Sequence, residues 1–520
     1  MSNNQRPDSI MYRQVNIQFG TETEIGITRA RPEQMDVVAE SIALVRSATA
    51  PGVRMRWDYS CEDPHCDARG FRVTELAQDA DESLYFAQDA QRGLSFHEIK
   101  SDLVLRNGAR FYNDHAHPEY CTPECSTLLE MLQQEYAGDA LLMACAKAFN
   151  DNTDNPILLY KNNTDFRGHS YGCHENYLMA RTVPWDVLSQ AMVAFFVTRQ
   201  IYAGAGKFGW EEEDRFLQPG FQISQRADFF TELQGVDTMQ RRPIINTRDE
   251  PHANTDLYRR FHVIIGDANL SPFAQFLKIG TTVLVLQALL NGAPLDRFPR
   301  LADPLAALKS ISRDRTWKWL VRDARGRTAS AIQIQAVYWE VVDRFCPHLD
   351  PDWDAVHKAW AEILTDLERD PLATADRLDW SAKFKLVETF RQTEGIAEDD
   401  PWLQSLDLAY HLLDREKGLF YGLLDQGAFR LPYPWRDISA HSLCPPATTR
   451  AAVRGRCVEK FGAAIQATQW DHLILKGRRF KIELDLRNLF DPEEVQQALR
   501  LISAARTVDE LAQLSFARIL

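Results

Sequence analysis

DLVLRNGARFYNDHAHPEYCTPEC, Asp102 to Cys125, is the stretch on which the fold turns. In extended backbone, side chains alternate between faces, so residues two apart share one. Arg110, Tyr112 and Asp114 then line one side as guanidinium, phenol and carboxylate. Glu119 follows just past Pro118, and Thr122 comes after it. A purely structural strand buries apolar residues on one face and scatters polar ones on the other. Here both faces are rich in groups that bind ions or move protons. Leu128 to Asn150 reads as a helix that backs this stretch.

Upstream, VNIQFGTETEIGI, Val15 to Ile27, places Glu22 and Glu24 two apart, so a strand aims both to one side. Adjacent carboxylates repel unless a cation or a proton lies between them. A hard cation such as Mg²⁺ suits oxygen ligands; the plainer reading is an exposed edge strand. Residues 1–14 read as a disordered leader, and 32–49 as an amphipathic helix with Met35, Val38, Ile42 and Val45 apolar. MRWDYSCEDPHCDARGF, Met55 to Phe71, opens an acidic, weakly patterned stretch that runs to about Lys100. Loops of that length are functional or disordered.

Downstream, ILLYKNNTDFRGHSYGCHENYLMAR, Ile157 to Arg181, reads as strand, polar loop and strand, with His174 and Asn176 sharing a face. A lone histidine is often a structural hydrogen-bonder; beside carboxylate pairs it is also a candidate metal ligand. Gly204 to Gly209 spells G-x-G-x-x-G, but Glu211, Glu212, Glu213 and Asp214 follow where a pyrophosphate would need backbone amides. Phe208 after Lys207 excludes a phosphate loop too. FQISQRADFF, Phe221 to Phe230, alternates as a strand does. Arg226, Arg248, Arg259 and Arg260 cannot all be core, and arginine forks suit phosphate oxygens. With carboxylates and a histidine for Mg²⁺, a nucleoside triphosphate is the natural ligand. A salt-bridge network with Asp249, Glu250 and Asp267 is the competing use of these arginines.

From about Pro272 the spacing turns helical, over 272–290, 304–312, 330–345, 353–369, 379–392 and 403–415. LPYPW, Leu431 to Trp435, and Pro445-Pro446 mark a boundary. A helix over 449–466, a hairpin through Lys481 to Leu486 and a helix from about 491 follow.

The 520 residues allow about three domains, or one large domain and a small one. A net charge of −14 argues against general affinity for nucleic acid or anionic membrane. KGRRFK, Lys476 to Lys481, reads as a solvated hairpin turn rather than a basic groove. The first residues lack the apolar core of a signal peptide. The longest apolar stretch, Thr281 to Leu290, is too short to span a bilayer. Nine cysteines, an odd number, fit free thiols in a reducing compartment, so a cytoplasmic protein is expected. Cys61 with Cys66, and Cys121 with Cys125, lack the usual two-residue zinc spacing.

Taken in order, GTETEIGI, NGARFYNDHAHPEYCTPEC, YKNNTDFRGHSYGCHENYLMAR, SQRADFF, INTRDEPHANTDLYRRFHVIIGDAN and RGRCVEKFGAAIQATQWDHL closely resemble the Pup ligase/depupylase family (PafA and Dop) over almost the whole chain. Met55 to Phe71 is similar to a segment of the depupylase branch that the ligase lacks, and the DHAHPEY spelling matches that branch too. The chain departs from the family at Ile25, Cys61, Cys66 and its longer leader.

The resemblance implies an α+β fold of the glutamine synthetase/carboxylate-amine ligase type. In it a curved antiparallel sheet cradles ATP and Mg²⁺, helices back the sheet, and a small C-terminal domain follows. On that reading 15–435 is catalytic, 55–100 is a depupylase-like insertion, and 436–520 is the small domain. By position, the resemblance makes Glu22, Glu24, Tyr112, Glu119, His174 and His262 the metal set. It makes Arg110, Thr122, Arg226, Arg248 and Trp470 the nucleotide set, and Asp114 the catalytic residue. The implied reaction hydrolyses the isopeptide bond between the C-terminal glutamate side chain of Pup, or a Pup-like modifier, and a lysine of a protein conjugate. It also deamidates a C-terminal glutamine of the modifier. Asp114 would attack the carbonyl directly or activate water. The rival expectations are a Pup-type ligase acting through a γ-glutamyl phosphate and a nucleotide-binding regulator without chemistry.

Overall fold

The structure, a computed structural model, describes residues 15, 17–33, 35–48, 52–54, 57–76, 89–209, 211, 220–238, 241–440 and 444–520. The expected leader and residues 77–88 of the expected insertion lie outside these.

A nine-stranded sheet forms the centre. Its strands are β1 (Gln18–Glu24), β2 (Gly52–Arg54), β3 (Leu103–Leu105), β4 (Arg110–Asp114), β5 (His117–Cys121), β6 (Cys173–Ala180), β7 (Glu232–Gly235), β8 (Pro243–Asn246) and β9 (Tyr258–Val263). They lie in the order β7-β8-β9-β6-β1-β5-β4-β3-β2. Neighbours run antiparallel except β7 with β8, which are parallel at one edge.

Alternation divides the sheet into two unlike faces. Phe19 on β1, Tyr177 and Met179 on β6, and Phe261 on β9 are buried against helices. These include α1 (Leu128–Asn150), α2 (Trp185–Ala203) and α3 (Pro272–Leu290). α1 starts at a capping box, Thr127 with Glu130, which satisfies its first amides. Its span matches the sequence reading. The other face carries Glu22, Glu24, His174 and Asn176, only partly covered.

Several expectations change. α3 is longer than its most apolar ten residues and, by length and composition, could cross a membrane. It is 89% buried inside the fold, and Lys278 at its middle donates to the Asp267 carbonyl. The alternation at Phe221–Phe230 gives strand only over Phe221–Gln222, then a 3₁₀ turn at Ala227–Phe229. Asp267 pulls that chain out of line by accepting from the Ser224 hydroxyl and the Gln225 amide. The helix expected over 403–415 is Pro401–Tyr410, because the next carbonyl, His411, accepts from the Lys161 amide.

The C-terminal part forms a four-stranded sheet of β10 (Ile465–Thr468), β11 (His472–Lys476), β12 (Lys481–Asp485) and β13 (Ala517–Ile519), in chain order. Helices α4 (Arg450–Phe461) and α5 (Pro492–Ala504) pack on it. The expected helix over 449–466 stops at Phe461 and gives way through Gly462–Ala464 to β10. The KGRRFK stretch includes the β11–β12 turn, with Arg478 and Arg479 exposed.

α4 docks on the central sheet through backbone. Gly455 lies so close to the Arg106 carbonyl that a Cβ would come within 2.0 Å of it. Beside it, Arg454 donates to the Gly108 carbonyl at 2.8 Å and to Glu124 Oε2 at 2.6 Å. Arg450 donates to Glu124 Oε1 at 2.7 Å. Burial alone would raise the Glu124 carboxyl, but Arg454 and Arg450 outweigh it and hold it at about 2. A depressed carboxyl contributes stability above its ordinary value of 4.5 and loses it as pH falls to about 2. Glu124→Gln should therefore cost about 3 kcal/mol at neutral pH. Chemical denaturation should show that difference shrinking between about pH 4.5 and about pH 2.

Candidate active site

Strand register assembles the site from residues far apart in sequence. Directly paired residues of neighbouring strands point to the same face. Three cross-strand rows result. Asp114 pairs with His117 in the first. The second runs Tyr112, Glu119, Glu24, and the third runs Arg110, Cys121, Glu22, His174. His262 pairs with Asn176 one step further along. All six residues of the expected metal set, with Asp114 and Arg110, thus stand on one face.

Two groups of metal-type donors form there. In one, Glu24, Asp114 and Glu119 each bring an oxygen within 4.8 Å of the others. In the other, an oxygen of Glu22 and one ring nitrogen each of His174 and His262 lie equally close. His174 Nδ1 is 3.4 Å from Glu22 Oε2, and His262 Nε2 is 3.9 Å from it. Asn176 donates to Glu22 Oε1 at 2.9 Å. Both ring nitrogens of His262 are buried without a hydrogen-bond partner. Burial, helped by the charge of Arg260, pushes His262 well below its ordinary pKa, so it is a neutral imidazole with a lone pair. An orphaned, neutral imidazole facing a carboxylate is what a metal ligand requires. Gly172 keeps the space open, since a Cβ there would lie 2.5 Å from His174 Nε2 and 3.1 Å from Glu24 Oε1.

The carboxylates divide into charged and protonated. Burial would raise Glu22; the His174 hydrogen bond and nearby positive charge outweigh it, and Glu22 stays ionised. Asp114 is held well below its usual range because Lys100 and His115 overcome its burial. Glu119 goes the other way. Burial, then the charges of Asp114, Glu22 and Glu24, push it well above the carboxylate range. Tyr112 donates to Glu119 Oε2 at 3.0 Å and Cys121 to Oε1 at 3.2 Å.

Asp114 sits at a tight turn. His115 and Ala116 alone connect β4 to β5, and His115 adopts φ 53°, where glycine is usual. That conformation costs of order 1 kcal/mol. It places His115 Nδ1 3.2 Å from Asp114 Oδ2. Lys100, at the end of the short helix Phe96–Lys100, donates to Asp114 Oδ1.

The expected nucleotide set is placed unevenly. Thr122 and Trp470 line a cleft of about 80 Å³ with Glu22, Arg260 and Arg450. That is smaller than a nucleotide needs. Arg110 is engaged: it donates to Asp102 at 2.6 Å and to the Tyr59 hydroxyl at 2.7 Å. Its guanidinium also lies 4.0 Å from the Trp57 ring centre and 3.7 Å from that of Tyr112. Arg226 is buried and donates to the carbonyls of Ile264 and Gly266. Arg248 donates to the Val236 carbonyl at 2.9 Å. Arg259 turns away, packing over Trp185 and donating to the Val183 carbonyl at 2.7 Å. Neither cysteine pair forms a metal-type group among the described residues.

Several residues at the site were not singled out in the sequence. His117, 3.8 Å from Glu24, lies two residues before Glu119, so alternation alone would have marked it. Lys100, Asp102 and Tyr59 carried no local signal, because they reach the face from the weakly patterned stretch that ends near Lys100 and from its exit.

Residues 18–474 match the family described as Pup-ligase protein. The chain belongs to the Pup-ligase family. It is 40% identical over 469 residues to the Pup deamidase/depupylase of Mycolicibacterium smegmatis, covering 88% of this chain and 91% of that protein. It is 39% identical over 391 residues to a Pup–protein ligase of a Nocardioides species, covering 73% of this chain and 85% of that one. The Pup ligase PafA in complex with ADP has the same fold, with a TM-score of 0.69 at 31% identity over 83% of this chain and 96% of that chain. The nine-stranded sheet, with its one parallel edge pair, is thus that of the Pup-ligase fold.

Burial and the neighbouring carboxylates hold the Glu119 carboxyl well above its usual range, so a cation taken up between these carboxylates should displace a proton, read on adding Mg²⁺ to weakly buffered protein. Mg²⁺ affinity should rise with pH. Glu119→Gln should abolish the release, read by a pH indicator; an undiminished release in that variant would remove Glu119 from the cation site.

Proposed function

We propose that this member of the Pup-ligase family is an ATP- and Mg²⁺-dependent amidohydrolase. It hydrolyses the isopeptide bond between the C-terminal glutamate side chain of Pup, or a Pup-like modifier, and a substrate lysine. It also deamidates a C-terminal glutamine of the modifier. We place it in the cytoplasm. The observation that carries the hydrolase reading is that the depupylase-like segment is built into the site wall. Tyr59 meets Arg110, Asp67 accepts from Thr247 at 2.7 Å, and Lys100 meets Asp114. The alignment with the deamidase/depupylase spans 88% of this chain, whereas those with Pup–protein ligases of Nocardioides and Xylanimonas span 73% and 82%.

The donor sets fit divalent cations: three carboxylates in one, and a carboxylate with two imidazoles in the other. Mg²⁺ held by Glu22, Glu24, Glu119, His174 and His262 would supply positive charge for an oxyanion and for ATP phosphates. PafA was solved in complex with ADP, which supports a nucleotide ligand for this chain as well. We assign it to the cleft that Thr122 and Trp470 line, and keep Arg110, Arg226 and Arg248 in the set that serves it. The cleft must widen there to admit it.

Isopeptide cleavage and deamidation both displace nitrogen from a γ-carboxamide. Asp114 serves either route: it attacks the carbonyl carbon itself, or it takes the proton of an attacking water. Lys100 and His115 hold Asp114 as the carboxylate, ready for both.

Asp114→Asn should abolish release of target protein from a purified conjugate while leaving ATP binding within about two-fold, since the residue lies outside the nucleotide set. Unchanged turnover would remove Asp114 from the chemistry. Lys100→Ala should act differently. Removing that ammonium raises the Asp114 pKa, so the acidic limb of the pH–rate profile should move to higher pH. A limb that stays in place would show that Lys100 does not set the charge of Asp114.

A further inference from the structure

Away from the carboxylate face, a third group of metal-type donors lies where the segment after Trp57 meets the C-terminal sheet. Asp58, Cys61 and His472 each offer one ligand atom, and the three atoms lie within 4.8 Å of one another. Asp58 caps the single 3₁₀ turn Tyr59–Cys61 and accepts from the Ser60 amide, which brings Asp58 and Cys61 to one side. His472 opens β11. Backbone holds the two pieces in register: the Asp58 amide donates to the Thr468 carbonyl at 2.9 Å. Gln469 Nε2 adds a bond to Glu62 Oε1 at 3.1 Å.

His472 is oriented from both sides. Its Nδ1 is 2.8 Å from Asp471 Oδ1, and its Nε2 is 3.2 Å from Asp58 Oδ2. A proton on Nδ1 satisfies Asp471 and leaves the Nε2 lone pair facing a carboxylate that has none to give. Either a second proton or a cation must lie between them. A proton would serve the two aspartates alone. A cation would serve Cys61 as well, and a carboxylate behind a ligating histidine is the usual outer partner in metal sites. One sulfur, one imidazole nitrogen and one carboxylate oxygen form a borderline-soft set, suited to zinc rather than to Mg²⁺ or Ca²⁺.

We propose that Asp58, Cys61 and His472 bind a zinc ion, with water as the fourth ligand and Asp471 orienting His472. Tetrahedral zinc bonds of about 2.0–2.3 Å put ligand atoms about 3.5 Å apart, so the group closes by about 1 Å. Cys61 is exposed and has room to make that movement. Bound zinc would pin the segment to β11 beside the Trp57–Trp470 contact, whose ring centres are 5.3 Å apart. The site is separate from the amide chemistry proposed above and stands without it.

The test uses the full chain, stripped with a chelator and titrated with Co²⁺ as a spectroscopic stand-in. One equivalent should produce a thiolate-to-cobalt charge-transfer band, which Zn²⁺ then displaces. Cys61→Ser should lose the band, and His472→Gln should weaken Co²⁺ binding about ten-fold or more. Cys121→Ser, on the carboxylate face, should keep it. Cys61 is exposed, so its replacement leaves the core intact, and circular dichroism checks this. No band at saturating Co²⁺ in the unaltered protein, or a band that survives Cys61→Ser, overturns the proposal.

Discussion

Four carboxylates share one face of one sheet, and the rest of the structure answers to that crowding. Glu22, Glu24, Asp114 and Glu119 are brought together by strand register alone. Left to themselves they repel. The structure relieves the repulsion in three ways. Lys100 and His115 neutralise Asp114, His174 and Arg260 stand against Glu22, and Glu119 takes a proton. Each of these is provisional in character, since a divalent cation can replace the proton and compete with the basic side chains. A sheet face arranged this way stores a demand for positive charge, which is the property a phosphate-handling or oxyanion-stabilising site needs.

Two remote parts of the chain hold this face in shape. The chain between β2 and β3 reaches in from one side, with Tyr59 on Arg110 and Lys100 on Asp114. The C-terminal sheet reaches in from another, with Trp470 against Arg454, and Arg454 in turn on Glu124 and Gly108. Arg110 lies where these two meet, sandwiched between Trp57 and Tyr112 and neutralised by Asp102. The charge of Arg110 is thus spent on the fold, and its role at the face is that of a rigid platform.

Much of this was legible from alternation. Arg110, Tyr112 and Asp114, and separately Glu22 and Glu24, could be placed on common faces because period-two spacing is a local property. α1 was legible to its ends for the same reason, since its apolar spacing and its cap are both local. What spacing does not carry is which strands become neighbours. That His174 stands beside Glu22, and that β7 runs parallel to β8, depend on pairings across more than a hundred residues or around a turn. Nor does it carry competition for hydrogen bonds. The strand expected over Phe221–Phe230 ends early because Asp267, far along the chain, captures its polar groups. Lys100 was invisible for a third reason: a lysine at the end of an acidic, unpatterned stretch looks like solvated charge until the fold shows what it faces.

The central claim is that this face displaces nitrogen from a γ-carboxamide. The most direct measurement is the intact mass of a Pup protein ending in glutamine after incubation with the enzyme, ATP and Mg²⁺. The account predicts a gain of about one dalton, as NH₂ is exchanged for OH. An unchanged mass, with a glutamate-ended Pup in a parallel reaction becoming joined to a lysine-bearing acceptor as ADP is released, would contradict it and make the enzyme a ligase.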